Sequence, residues 1–255
     1  MSAVPFEGMS PAQGVDHAGW VIGSMQGQDG VALVVPGGFD AYARVMHPLD
    51  GGRRWSTVAP EYLERGVDRY PYPFPEAVTA AEGDMGAALV DVLLDVLAPA
   101  VGSRQQCHYG LWEGWGELHA GSHSTYFAVG DERGPLAAWR RRRAFRRMRS
   151  LQRRAEAPLY EFVSACAVQP WRGGRDMLLF DGPIDAVAAI GTPDPFGSGL
   201  RRRGPQWWWP ADRRWFVATE IDYPWTFVAG PRLLVAAVVQ HPDVEAVPVQ
   251  HEDAW

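Results

Sequence analysis

Two acidic residues near the carboxyl terminus have a spacing that could support acid–base chemistry. Glu220 and Asp222 lie two positions apart at the end of a predicted strand, so both carboxylates can project to one side of a sheet. Such a pair could transfer protons or bind a metal ion. In the structural alternative, which we favour, Asp222 closes the turn before Pro224 and Glu220 pairs with an arginine across the hairpin.

A second group with chemical potential is the loop that contains Glu113, Glu117, His119 and His123. The two histidines are four positions apart, a spacing that presents two imidazoles to a metal ion when it lies on a helix, and His108 precedes them. The intervening Ala-Gly-Ser disfavours a helix, however. We therefore expect exposed polar loop residues here, and we predict neither a bound metal nor a cofactor.

Tryptophans form the third candidate group, and their chemistry would be that of an aromatic-lined groove for a small ligand or a peptide. One pair lies between glycines in the sequence GLWEGWG, where the alternative role is a bulge or tight turn beside core aromatics. A triplet flanked by prolines is too irregular to be fully buried, so we expect at least one of its rings to be exposed. The candidate ligand-binding residues are Trp112, Trp115, Trp207, Trp208 and Trp209.

The strongest charge feature is WRRRRAFRRMRSLQRR, residues 139–154, which holds nine arginines and no acidic residue. The chain carries −6 overall, so the remainder carries −15. As a helix, the segment could bind phosphates or lie on an anionic membrane. The alternative that we favour is a solvated helix, or one that docks on the acidic remainder of the chain. The candidate nucleic-acid contacts are Arg140, Arg141, Arg142, Arg143, Arg146 and Arg147.

Composition excludes several classes of enzyme. The chain contains no lysine, which rules out a Schiff base, a pyridoxal-phosphate anchor, a phosphate-loop lysine and a Ser-Lys dyad. Cys107 and Cys166 are far apart and form no Cys-x-x-Cys motif, so they indicate neither a zinc site nor a disulfide framework. We expect a cytoplasmic protein, because the first residues lack the features of a signal peptide and the longest apolar run, 233–239, is too short to span a bilayer.

The elements that must position these residues follow from periodicity and from Pro and Gly. Residues 1–30 are rich in Gly, Pro, Ser and Gln, which predicts a loosely ordered N-terminal arm. Residues 31–255 are predicted to form a single α+β domain with an arginine-rich helical insertion at 131–157. The sheet is expected to be mixed and mostly antiparallel, packed with a few helices.

Local patterns predict the following elements. The predicted strands are 31–35, 41–46, 106–112, 125–129, 159–163, 177–180, 215–221, 225–229 and 245–249. Two helices are predicted, one that Asp84 caps and Pro99 ends, and one that begins at Pro231 and ends before Pro242.

The segment WWWPADRRWFVATEID, residues 207–222, resembles an uncharacterised actinobacterial protein family with a C-terminal WWPADRxWFVATEID-type segment. AYARVMHP at 41–48 and CHYGLWEGWG at 107–116 are similar to short blocks of that family in the same order. The resemblance implies a shared fold and carries no known activity.

We therefore expect a non-enzymatic domain that binds a protein partner or a small ligand through an aromatic-rich surface. One alternative is a hydrolase-like or metal-dependent enzyme that uses Glu220 and Asp222 or the loop of His119 and His123. A second is a nucleic-acid-associated protein that acts through the arginine-rich helix at 139–154.

Overall fold

The computed structural model describes most of the chain, with gaps. The described residues are 4–25, 27, 30–64, 78, 80–101, 105–119, 143, 147, 154, 156–194 and 199–254. Their strands are β1 (Ser10–Pro11), β2 (Ala41–Met46), β3 (Gln106–Trp112), β4 (Ala167–Gln169), β5 (Met177–Pro183), β6 (Gly191–Pro193), β7 (Leu200–Arg202), β8 (Trp207–Pro210), β9 (Phe216–Thr219), β10 (Trp225–Gly230) and β11 (Ala246–Val249). Their helices are α1 (Gly19–Ser24), α2 (Val31–Val34), α3 (Trp55–Val58), α4 (Gly86–Val101), α5 (156–165) and α6 (Arg232–Val239).

One antiparallel sheet organises the described part of the chain. Nine of the described strands belong to it, in the order β1, β5, β3, β8, β9, β10, β2, β11, with β4 also paired to β5. β6 and β7 form a separate two-stranded sheet. A mostly antiparallel sheet with a few helices confirms the predicted α+β fold of a single domain.

Both faces of the large sheet are covered. α4, α5 and α6 pack on one face, and α1, α2, α3 and the turn at Pro60–Leu63 pack on the other. Neighbouring residues of a strand point to opposite faces of the sheet. Trp208 therefore packs on the face that α4, α5 and α6 cover, and Trp207 and Trp209 pack on the other face. All three are 0% exposed, so the expectation of an exposed ring in this triplet is wrong.

Several predicted elements agree with the structure. β2, β3, β5, β10 and β11 lie where alternation predicts them, and α6 begins one residue later than expected. The carboxylate of Asp84 accepts the backbone N–H of Gly86 at 3.0 Å, but α4 begins at Gly86, so Asp84 lies one position before the N-cap position predicted for it. Pro99 does not end this helix, which continues to Val101.

Two predicted strands are helices. Residues 31–34 form α2, in which Val31 and Val34 are buried three positions apart on one side of the turn. Residues 159–163 belong to α5, which buries Leu159 and packs Phe162 and Val163 against the same core. In both segments the apolar residues repeat at helical spacing, although their types favour strands.

The N-terminal arm predicted at 1–30 differs most from the structure. Residues 4–25 are packed on the sheet, because β1 pairs with β5 and the backbone N–H of Ala12 donates to the carbonyl of Leu179 at 3.0 Å. Phe6, Ala18 and Val21 are buried. The abundance of Gly, Pro, Ser and Gln, without a sustained period, therefore concealed a segment whose apolar residues pack on the sheet.

Other predictions fall outside the described residues. These are the strand at 125–129 and most of the insertion at 131–157, of which positions 143, 147 and 154 are helical and exposed. None of the helices in the described part is both long and apolar enough to cross a membrane.

Candidate metal centre

Two neighbouring strands place a histidine beside an aspartate at the edge of the sheet face that α1 covers. His108 of β3 is directly opposite Asp181 of β5, and opposite Trp209 of β8 on its other side. Residues opposite one another in antiparallel strands present their side chains to the same face. The pairing register therefore brings an imidazole and a carboxylate together although they are far apart in sequence.

A second histidine comes from the N-terminal segment. His17 lies in a single helical turn, Asp16–Ala18, between β1 and α1. The burial of Ala18 and Val21 fixes this turn against the sheet, and the pairing of Ser10 with Asp181 fixes the strand before it. The imidazole of His17 is thereby held over the pair on the sheet.

The three side chains form a close cluster. Nδ1 of His108 lies 2.6 Å from Oδ1 of Asp181, and Nε2 of His17 lies 3.9 Å from the same oxygen. The two imidazoles stack with ring centroids 4.6 Å apart. Since an ionised carboxylate only accepts hydrogen bonds, Nδ1 of His108 carries the hydrogen of the short contact.

The electrostatics of His17 favour a neutral imidazole. Burial lowers its pKa, the charge of Asp181 raises it, His108 lowers it and Asp16 raises it, with burial as the largest cause. Its Nε2 atom is buried and has no hydrogen-bond partner among the described residues. A neutral imidazole with an unused buried nitrogen is the form in which histidine binds metal ions.

The ligand atoms of His17, His108 and Asp181 lie within 4.8 Å of one another. Among the described residues, no other group of three His, Cys, Asp or Glu meets this condition. Zinc binds nitrogen and carboxylate oxygen at roughly 2.0–2.2 Å, so two ligands of one ion are separated by about 3.4 Å in a tetrahedral site. To hold an ion, Nδ1 of His108 and Oδ1 of Asp181 would lose the proton of their 2.6 Å contact and move apart, and the stacked ring of His17 would turn toward the ion.

Aromatic side chains pack against the buried side of the cluster. The ring of Trp209 lies 5.4 Å from that of His108 and 6.0 Å from that of His17, measured between centroids. Trp20 of α1 contacts the edge of Trp209 at 6.2 Å. Because Trp209 is fully buried, its role here is to position the two imidazoles, and it does not form a surface for a ligand.

The predicted acidic pair has a different arrangement. Arg175 contacts both carboxylates, through Nε to Glu220 and through Nη2 to Asp222. The backbone N–H of Asp222 also donates to Glu220 at 2.6 Å. Burial raises the pKa of Glu220 even though Arg175 opposes the shift. This is the ion pair with an arginine that we favoured, except that Arg175 precedes β5 and does not belong to the hairpin.

The predicted histidine loop is also held by internal contacts. Nε2 of His119 lies 2.6 Å from the carbonyl of Glu113, and His123 lies outside the described residues. Glu117 pairs with Arg203, whose guanidinium lies 3.7 Å from the ring centroid of Trp115. In the described part of this loop, no three His, Cys, Asp or Glu side chains lie close enough together to form a metal site.

The tryptophan pair in this loop is partly buried. Trp112 donates its indole N–H to the carbonyl of Gly174 at 3.0 Å, and Trp115 donates to the side-chain oxygen of Gln206 at 3.2 Å. The two rings meet edge to face with centroids 5.2 Å apart. These contacts match the alternative of a tight turn beside core aromatics.

Sequence reasoning named His108 but missed its two partners. His17 lies in a segment whose composition indicates disorder, and Asp181 ends a run of apolar residues in which it forms no motif. The available signal was a carboxylate inside an otherwise apolar strand, since such a group needs a partner. The identity of that partner depends on the pairing register, which the sequence does not reveal.

Comparison of the chain with protein-family models, with curated proteins and with solved structures gave no match. The resemblance to the actinobacterial family therefore stays a prediction, and the case for a function depends on the geometry of the cluster.

Proposed function

We propose that this protein binds a divalent transition-metal ion, with zinc as the reference ion, through His17, His108 and Asp181. The observation that carries the proposal is the convergence of three ligand atoms from three separate segments to within 4.8 Å. Two imidazoles and one carboxylate suit zinc, iron(II) and similar ions. Metal binding is also one of the alternatives from the sequence, but the ligands proposed here are His17, His108 and Asp181, in place of His119 and His123.

The buried Nε2 atom of His17 supports a ligand role over a purely structural one. A buried polar atom without a hydrogen bond costs on the order of 1–3 kcal/mol. Coordination to an ion would remove that cost, and the lowered pKa of His17 reduces competition from protons. Stacking of the imidazoles alone leaves the nitrogen unsatisfied.

Zinc titration of the chain, purified without a histidine tag and stripped with EDTA, tests this proposal. We expect one ion per chain by calorimetry and by elemental analysis after gel filtration. Because each substitution removes one of three ligands, His108→Ala and Asp181→Asn are each expected to weaken binding by about 100-fold. Zinc at 100 times its Kd should stabilise the wild-type fold by about 2.7 kcal/mol.

The matched control is His119→Gln, which removes an exposed histidine of the predicted loop. This variant is expected to bind zinc as the wild type does, with circular dichroism verifying the fold of all variants. Absence of a stoichiometric ion, or binding that is equally strong without His17, His108 and Asp181, would overturn the proposal.

Binding through an aromatic surface ranks below metal binding. The burial of Trp207, Trp208 and Trp209 removes them as contact residues, which leaves the partly exposed Trp112 and Trp115 for a partner or a small ligand. Both already have internal partners for their indole N–H groups. The expectation of a non-enzymatic domain stays a prediction, because metal binding alone does not decide whether the chain is an enzyme.

Binding of a polyanion through the arginine-rich segment is supported by one further observation. Arg143, Arg147 and Arg154 are each helical and exposed. Retention on heparin that decreases steeply with salt concentration is expected if this segment binds nucleic acid. Retention that is absent at low ionic strength would exclude the hypothesis.

A further inference from the structure

We infer that an ion at His17, His108 and Asp181 would activate a water molecule for the hydrolysis of uncharged acyl esters. The inference rests on the proposed metal binding and adds a reaction and a substrate class to it. Its basis is the number of ligands, their access to solvent and the charge around them.

The ligand number leaves a coordination position open. Structural zinc sites have four protein ligands, whereas catalytic sites have three and hold a water in the fourth position. The described residues supply three ligand atoms. An ion held there would lower the pKa of a bound water far below that of free water, which would supply a nucleophile at neutral pH.

One side of the cluster is partly exposed, and Asp181 is its most exposed member. The side chains of His108, His17 and Asp181 are 18%, 23% and 29% exposed, respectively. The opposite side is closed by the buried ring of Trp209. Because Nε2 of His17 is itself buried, a water and then an acyl group would approach the ion on the side of His108 and Asp181.

The local charge favours an uncharged substrate. Asp181 is a ligand, and Asp16 precedes His17 in the same helical turn. Together the two carboxylates balance the charge of a divalent ion. Among the described contacts of the three ligands there is no arginine, and Arg213 lies over Trp20 instead. Phosphoryl transfer needs cations around the transferred group, so the site fits an acyl group better than a phosphate.

The reaction consumes one water for each ester. The water oxygen would bond to the acyl carbon, and the bond between that carbon and the alkoxy oxygen would then break. The second proton of the water ends on the departing alkoxide. The products are a carboxylic acid and an alcohol, without any change of oxidation state.

The experiment compares wild-type protein with and without one equivalent of zinc on 4-nitrophenyl acetate, with 4-nitrophenyl phosphate as the second substrate. The zinc-free protein accounts for hydrolysis by surface imidazoles, and zinc without protein accounts for the free ion. We expect a zinc-dependent rate on the acetate that falls by about 100-fold in His17→Ala and in Asp181→Asn. His119→Gln should keep the wild-type rate.

The wild-type comparison does not depend on the folding of any variant. Zinc that binds by calorimetry without an increase in acetate hydrolysis would overturn this inference and leave the metal proposal intact. Faster zinc-dependent turnover of the phosphate than of the acetate would overturn the substrate class. Absence of zinc binding would overturn both.

Discussion

Asp181 and Glu220 are both partly or fully buried carboxylates on the same sheet, yet their partners differ in kind. Asp181 lies beside two imidazoles, and Glu220 lies beside the guanidinium of Arg175. A guanidinium keeps its charge at every pH of interest and binds no metal. An imidazole can exchange its proton for an ion. The same acidic group is therefore fixed in a structural ion pair at one site and available for chemistry at the other.

The difference shows why spacing along one strand is a poor guide to a site. Glu220 and Asp222 have the spacing of a catalytic pair, but a residue far away in sequence neutralises them. Asp181 has no such neighbour in sequence and acquires its partners from another strand and from the N-terminal segment. What a buried carboxylate can do depends on which cation the fold brings to it.

Substitution of Arg175, the cation beside Glu220, should give the largest loss in the free energy of unfolding. In Arg175→Met, the carboxylate of Glu220, which is 5% exposed, would lose its only described cationic contact. Breaking a buried pair by removing one partner costs roughly 3–5 kcal/mol. We expect the free energy of unfolding in urea to fall by about 3 kcal/mol, because Arg175 itself is partly exposed.

Arg214→Met is the matched control, since Arg214 pairs with Asp212 on the surface. Exposed pairs contribute about 0.2–1 kcal/mol, so this variant should lose less than that of Arg175 by a clear margin. Equal losses in the two variants would contradict the view that Arg175 compensates a buried charge.

His47 is a buried histidine whose pKa depends mainly on burial and only to a smaller extent on a neighbouring carboxylate. Its Nδ1 lies 2.6 Å from the carbonyl of Ala81 and its Nε2 lies 2.9 Å from the hydroxyl of Thr226. Burial lowers the pKa of His47 to about 4, against the smaller opposing effects of Ala81 and Asp84. Since Nδ1 must donate to the carbonyl, Nε2 accepts from Thr226, and Thr219 in turn donates to Thr226 at 2.8 Å.

The lowered pKa of His47 predicts a loss of stability in acid. His47 binds a proton near pH 6.5 in the unfolded chain and only near pH 4 in the folded protein. The contribution of the neutral, buried imidazole to the free energy of unfolding is therefore complete above pH 6.5. It decreases as the pH falls and is reduced by about 3 kcal/mol at pH 4. We expect unfolding in urea between pH 7.5 and pH 4.5 to show a steeper decline for the wild type than for His47→Asn.

The control for that series is His119→Gln, which removes an exposed imidazole and should follow the wild-type curve. A His47→Asn variant whose stability declines as steeply as that of the wild type would show that other groups cause the acid sensitivity.

The C-terminal part of the fold was largely predictable, and the candidate centre was not. The segments of β9, β10 and α6 combine alternation, a turn before Pro224 and a Gly-Pro start, so local rules suffice. For α2 and α5 the residue types favour a strand whereas the spacing of the apolar residues favours a helix, and the spacing decides the structure. The centre joins His17 to Asp181 through a sheet register, and no local rule encodes a register between distant strands.

The position of β1 beside β5 also has a consequence for synthesis of the chain. A ribosome releases the N-terminal residues first, and β1 has no strand to pair with until β5 has been made. During that interval Phe6, Val21 and Met25 present apolar side chains that the finished fold buries. Contacts of such high sequence separation form slowly. We therefore expect closure of this edge of the sheet to be a late event, before which these apolar side chains stay exposed.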